Sequence, residues 1–322
     1  VKIAFAGKGG SGKTTLSALF TRYLAAAGAT VVAVDADINQ NLGAALGLPP
    51  EDLAGIPPLG SHLAEIKEIL RGSNPRISSA DAMVKTTPPG RGSRLLDMSP
   101  DNPIHRRFGR SAAGATLMAT GPFSEDDLGV ACYHSKVGAA EMYLNHLVDG
   151  AGEYAVVDMT AGADSFASGL FTRFDVTFLV AEPTLRGVGV YRQYADYARD
   201  HGVEIRVIGN KVQDEGDTEF LREHVGSALA ACFGFSPFVR AMEKGRHPEL
   251  GELEEQNVKT LAWMRDSVDA TAKDWPRFSR QSAQFHARNA RAWANAATGA
   301  DLESQIDPEF VMGPEALKAQ RA

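Results

Sequence analysis

The stretch Gly7-Lys8-Gly9-Gly10-Ser11-Gly12-Lys13-Thr14-Thr15 follows the apolar run Val1 to Ala6 and precedes a segment, Thr14 to Ala27, with Leu16, Leu19, Phe20 and Leu24 at helical spacing. The pattern predicts a buried strand, a glycine-rich turn and a helix in that order. Such a turn lets backbone N–H groups wrap a phosphate, because no Cβ blocks the approach and the helix adds its positive dipole end. Gly9, Gly10, Ser11, Gly12 and Thr15 form the cradle. Lys13 is placed to reach the β and γ phosphates, and Thr14 to hold Mg²⁺.

Further strands end in polar residues, as expected where ligands bind at the C-terminal edge of a parallel sheet. Thr30 to Val34 runs into Asp35-Ala36-Asp37-Ile38-Asn39-Gln40-Asn41-Leu42. Glu153 to Asp158 runs into Met159-Thr160-Ala161-Gly162, and an aspartate closing a strand after a phosphate loop is placed to bind Mg²⁺. Asp175 to Ala181 leads into Glu182-Pro183-Thr184, and Val203 to Gly209 into Asn210. The alternation predicts an α/β fold: a doubly wound, mostly parallel sheet of the P-loop NTPase type. Residues 1–250 are assigned to that domain. The rhythm breaks over 49–114, an insertion rich in proline and glycine with one helix, His62 to Leu70. Helices over 251–298, carrying Trp263, Phe278, Phe285 and Trp293, are expected to pack onto the domain. The polar residues 299–322 read as a loosely held tail.

Lys8, one residue into the loop, makes it resemble the deviant Walker A loop of the MinD/ParA-type ATPases. The resemblance covers Val1 to Gly47 and Ala115 to about Arg246, and within that group it is most similar to carbon monoxide dehydrogenase maturation ATPases, through Asp35-Ala36-Asp37 and the following Asn41-Leu42. It implies ATP and Mg²⁺ as ligands, hydrolysis of ATP, and a homodimer in which Lys8 crosses to the partner's nucleotide. By the same resemblance Asp37 orients the attacking water and Asp35 supports the Mg²⁺ shell with Asp158. Gly162 then contacts the γ-phosphate, and Asn210 pairs with the adenine edge. One of Asp35 and Asp37 could instead cap the helix that starts near Asn41.

In those maturation ATPases a Cys-x-Cys pair, doubled by a twofold axis, offers thiolates to one metal. This chain has Cys132 and His134 at that spacing. Doubled, they would give a tetrahedral Cys₂His₂ set suited to Zn²⁺, with Ni²⁺ as the other candidate. A buried free cysteine and a histidine at a helix start are the alternative. Cys232, in Leu229 to Phe233, reads as core.

The chain has 322 residues, a net charge of −7, and no disulfide framework, since its two cysteines lie far apart. That usage fits a reducing cytoplasm, and the charge disfavours nucleic acid and anionic membranes as partners. No apolar run is long enough for a membrane span, and the first strand, with Lys2, is not a signal peptide. The insertion is locally basic through Lys85, Arg91, Arg94, Arg106, Arg107 and Arg110. These are either a docking surface for an acidic partner or charges paired with the acidic remainder.

Three functions remain open. The chain is a switch ATPase that loads or remodels a protein partner, with metal insertion as one form of that task. It is an amidoligase of the cobyrinic acid a,c-diamide synthase type without its own glutaminase domain, given that neither cysteine sits on a nucleophile turn. Or it is a spatial organiser like ParA and MinD, for which a basic amphipathic C-terminal helix is lacking.

Overall fold

The computed structural model describes residues 1–122, 133–162 and 169–321, with backbone only for 133–135. The chain begins β1 (Lys2–Gly7), α1 (Lys13–Ala26), β2 (Thr30–Ala36), then the short α2 (Leu42–Ala45) and α3 (Pro50–Ala54). The insertion continues with α4 (Leu63–Arg71) and α5 (Pro103–Phe108), and leads into β3 (Arg110–Ala112) and β4 (Ala115–Ala119). Next come α6 (Tyr133–His146), β5 (Glu153–Met159), β6 (Val176–Ala181), α7 (Leu185–His201), β7 (Ile205–Val212), α8 (Glu215–Val225) and β8 (Leu229–Gly234). The C-terminal part holds α9 (Pro237–Met242), α10 (Glu255–Asp269), α11 (Trp275–Asn289), α12 (Asn295–Thr298) and α13 (Pro314–Arg321).

Among the described residues the strands form one sheet of eight in the order β3-β4-β2-β5-β1-β6-β7-β8. All neighbours are parallel except β3, which pairs antiparallel with β4. A sheet covered on both faces favours near-continuous apolar strands, and all six residues of β1 are buried, Lys2 at its start included. Ile3 and Phe5 point to the face covered by α1 and α10, where Phe5, Phe20 and Phe178 pack with ring centroids 5.5–6.0 Å apart. Ala4 points the other way, with Val32 and Val34, against α4 and α6. The strand order reverses at β1, so its C-terminal end opens onto the crevice where such sheets bind ligands.

Two parts of the chain differ from the sequence expectation. Residues 110–112, counted with the insertion, belong to the sheet edge. Residues 299–321 are not loose. Leu302 and Met312 are buried, Gln305 Oε1 accepts from Thr87 Oγ1 at 3.0 Å, and Asp307 takes Arg91 Nε at 2.9 Å. Gln305 and Asp307 are single residues whose partners lie over 200 positions away, so no local periodicity announces them. The tail also takes up one arginine of the basic insertion: Arg91 pairs with Asp307 and Glu309, whereas Arg107 pairs with Glu65 inside the insertion. Arg91 thus follows the reading of charges paired with the acidic remainder, while Arg94 and Arg106 are exposed.

The C-terminal extension meets the sheet through aliphatic side chains of α10. Leu261, Met264 and Val268 of α10 enter the core, and Asn257 and Thr260 bond the main chain of β8, covering that edge. Phe278 of α11 is buried, while Trp263 and Trp293 stay exposed.

Where α6 meets α11 and the insertion, Glu141 is 2% exposed and one of its oxygens has no hydrogen-bond partner. Burial raises its carboxyl to about 7, against the pull of Lys85 and Arg173. A carboxyl raised on folding contributes stability below its unfolded value, and that contribution is lost as pH rises through the folded one. The chain is therefore expected to lose on the order of 3 kcal/mol from this group between pH 4.5 and 7. Glu141→Gln should flatten that part of the profile, measured by urea unfolding of both proteins across the range. An unchanged slope would contradict the assignment.

Candidate functional site

β1 ends at Gly7, whose φ is +145° and whose absent Cβ would fall 2.4 Å from the carbonyl oxygen of Val180. Only glycine lets the chain leave the sheet there. The turn closes with Ser11 N donating to Lys8 O at 3.1 Å, and Gly12, at φ +95°, starts α1. A Cβ on Gly12 would meet the Asn210 side chain at 2.2 Å. The loop is thus pressed against the end of β7. Asn210 Nδ2 donates to Ser11 O at 2.7 Å, and Lys211 Nζ donates to Gly10 O at 2.9 Å and pairs with Glu182. Lys211 was not singled out in the sequence. Its signal was its place beside Asn210 at a strand end, and its φ of +60° marks the tight fit.

Register brings the carboxylates together. Asp35 on β2 lies directly beside Asp158 on β5, and Phe5 of β1 is the other neighbour of Asp158. Thr14 Oγ1 donates to Asp158 Oδ2 at 2.6 Å, while Asp158 Oδ1 is buried without a partner. Ser11 Oγ in the loop is likewise buried and unpartnered. Asp158 Oδ1 is thus left as a free acceptor suited to a cation or an N–H donor, and Ser11 Oγ as a hydroxyl able to donate to an anion. Burial pushes Asp158 up to about 7, opposed by the Thr14 hydroxyl and by Lys13. Burial, reinforced by Asp158, also holds Asp35 well above the usual carboxylate range.

Asp35 spends both oxygens on the turn that follows it, accepting from Asp37 N at 3.2 Å and from Leu42 N at 2.8 Å. Asp37 Oδ1 accepts from the Asn39 backbone and side chain at 2.9 and 3.0 Å. That leaves Oδ2, 3.8 Å from Lys13 Nζ, facing the loop. Lys13 is itself 5% exposed. Lys8 stands half-exposed at the mouth and makes no side-chain bond among the described residues. Gly9 faces Ala161, and Gly162, at φ +77°, gives its carbonyl to Tyr194 OH at 2.6 Å.

Beyond Thr15 a crevice of about 160 Å³ is lined by Gly12, Asn210, Phe235, Val239 and Arg240, so α9 closes the side of the loop away from the aspartates. Lys8 to Thr15, Asp35, Asp37, Asp158, Gly162 and Asn210 therefore converge on one end of the sheet. Cys132 lies outside the described residues, as does the side chain of His134. Among the described residues no group of three or more His, Cys, Asp or Glu could hold a metal, and no helix is long and apolar enough to cross a membrane.

Comparison with known proteins agrees with this geometry. The profile of the CobQ/CobB/MinD/ParA nucleotide binding domain matches residues 2–244. The carbon monoxide dehydrogenase accessory protein CooC of Rhodospirillum rubrum is 30% identical over 223 residues, 69% of this chain and 78% of its own length. An uncharacterized ATP-binding protein of Methanocaldococcus jannaschii is 29% identical over 241 residues, 74% of this chain and 85% of that one. Among solved structures, the MinC:MinD cell division complex of Aquifex aeolicus superposes with a TM-score of 0.54 at 18% identity, covering 85% of this chain and 97% of that chain. The septum site-determining protein MinD of Pyrococcus horikoshii, complexed with Mg-ADP, gives 0.53 at 18% identity, covering 85% and 99%. At these identities the structural likeness speaks for the fold alone.

Proposed function

The chain belongs to the CobQ/CobB/MinD/ParA nucleotide-binding domain family, and from that premise we propose that it is a dimeric, ATP-hydrolysing switch that loads or remodels a protein partner. The observation that carries the reading is the convergence of Lys13, Thr14, Asp37 and Asp158 on one glycine turn. The oxygen donors fit Mg²⁺: the Thr14 hydroxyl and the Asp158 carboxylate are hard ligands, and Asp158 keeps a buried acceptor to spare. Mg²⁺ bound there would neutralise charge on the phosphates.

In this reading the N–H groups of Gly9 to Thr15 hold the phosphates and Lys13 neutralises them. A phosphate entering the loop competes with Asp37 for Lys13, which turns Asp37 Oδ2 towards the attacking water. The water oxygen bonds to the γ-phosphorus as the bond from phosphorus to the ADP oxygen breaks, and both protons of the water leave on the phosphate, as dihydrogen phosphate. Asp35 acts through the turn it braces. Gly162 supplies an N–H to the γ-phosphate, and Asn210 and α9 face the base. Lys8 reaches the nucleotide of the second chain.

The relation to a carbon monoxide dehydrogenase accessory protein supports metal insertion as the task. Cys132 and His134, one pair from each chain, are then the ligands of a Zn²⁺ or Ni²⁺ cargo.

Asp37→Ala is expected to bind MgATP as tightly as the parent while releasing phosphate about 10²-fold more slowly or less. Nucleotide titration and a phosphate-release assay on the same preparation check both halves. Unreduced turnover would remove Asp37 from the mechanism.

A further inference from the structure

Gln40 holds a backbone conformation that its residue type avoids. Its φ is +50°, in the left-handed region where a Cβ crowds the neighbouring carbonyl. Glycine would occupy the position without strain. What the glutamine contributes is its carboxamide. Nε2 donates to the main-chain oxygen of Asp37 and lies 3.4 Å from Thr120 Oγ1, while Oε1 accepts from Gly121 N at 3.2 Å.

The bonds do not stop at β4. Thr120 donates to Asp35 O through its N at 2.9 Å and its hydroxyl at 3.1 Å, and its own carbonyl accepts from Gly60 N at 3.0 Å. Gly121 lies so close to Pro58 that a Cβ would come within 2.5 Å of the proline ring. A single side chain therefore ties the turn carrying Asp37 to the end of β4, and through it to the Pro58–Gly60 corner of the insertion. Beside this link lies a cavity of about 160 Å³ bounded by Asp35, Gln40, Leu53, Ile56, Pro58 and Gly121. The cavity leaves open space between that turn and Leu53, Ile56 and Pro58 of the insertion.

We propose that Gln40 is a positioning residue with two effects: it fixes the peptide from which Asp37 reaches the water, and it carries movement of that turn to Thr120, Gly121 and the insertion. The first effect rests on the role given to Asp37 above. Asp37 Oδ1 is already held by Asn39, so the orientation of Oδ2 depends on the peptide that Gln40 clamps at its carbonyl. The second effect gives the insertion a direct report of what occupies the phosphate loop, without contact to nucleotide.

Two substitutions separate the amide from the fold. Gln40→Gly accepts the backbone angle and removes the amide; Gln40→Glu keeps the length but its side chain cannot donate to Asp37 O, and both variants retain the backbone N–H of residue 40, which lies 3.3 Å from that oxygen. Both are expected to keep the parent's thermal midpoint and to bind MgATP within about twofold of the parent, while kcat falls at least about tenfold, as a displaced reacting geometry requires. In the parent, MgATP should slow amide hydrogen exchange in peptides containing Gly60 and Gly121. In Gln40→Gly that slowing should be lost. Parent-like turnover in Gln40→Gly would overturn the proposal, and so would a loss of activity accompanied by an equal loss of nucleotide affinity or by unfolding. Asp37→Ala, run alongside, tells the two claims apart. If it is inactive while Gln40→Gly is normal, only the role of Gln40 fails; if Asp37→Ala turns over normally, the underlying reading fails first.

Discussion

Lys13→Ala is expected to lower MgATP affinity by at least about 10³-fold, a loss of about 4 kcal/mol. The lysine is almost fully buried at the start of α1, and among the described residues one carboxylate lies within 4 Å of its ammonium, that of Asp37 at 3.8 Å. That distance is long for an ion pair, so Lys13 is weakly held and free to serve a phosphate. A charge-assisted bond from a desolvated ammonium to a polyanion is among the strongest single contacts a site can make. The alanine variant keeps the helix, since alanine is its best former. Calorimetric titration with MgATP checks the loss, and affinity within tenfold of the parent would contradict the phosphate-loop assignment.

Lys8→Ala should behave in the opposite way, keeping nucleotide affinity while losing about 10³-fold in turnover, the size of effect that a charge supplied across an interface has in phosphoryl transfer. Within one chain Lys8 bonds to nothing described, and it is half-exposed at the mouth of the loop. A cation in that place gains a function only when something brings a phosphate to it from outside. The molar mass in MgATP, by light scattering, should double for the parent and stay at one chain for the variant. Normal turnover by Lys8→Ala would end the case for a lysine acting across the interface.

The fold was legible because its signals are local. Six residues of β1 pass directly into the glycine turn, and each later candidate residue lies at or just past the end of an apolar run, so strand ends could be read without knowing their order in the sheet. The family relation, the parallel sheet and the phosphate loop follow from such runs. What the sequence could not convey are the contacts that only the sheet order creates. That Asp35 and Asp158 are lateral neighbours depends on β5 inserting between β1 and β2. Lys211 on Gly10 and Gln40 on Gly121 are single side chains reaching across loops, with no repeat to reveal them.

The tail shows the same limit from the other side. Its polar, proline-containing composition resembles that of unanchored segments, yet Gln305, Asp307 and Met312 each meet a partner that composition cannot name. Arg91 was ambiguous for that reason: whether an arginine seeks a partner protein or its own C-terminal carboxylates is decided in three dimensions.

The most direct test of a two-chain ATPase is phosphate release from saturating MgATP, measured as a function of protein concentration. Turnover per chain is expected to rise with concentration and level off as dimers form, and to vanish in Lys13→Ala at every concentration. Absence of release from the parent across the whole range would contradict the account.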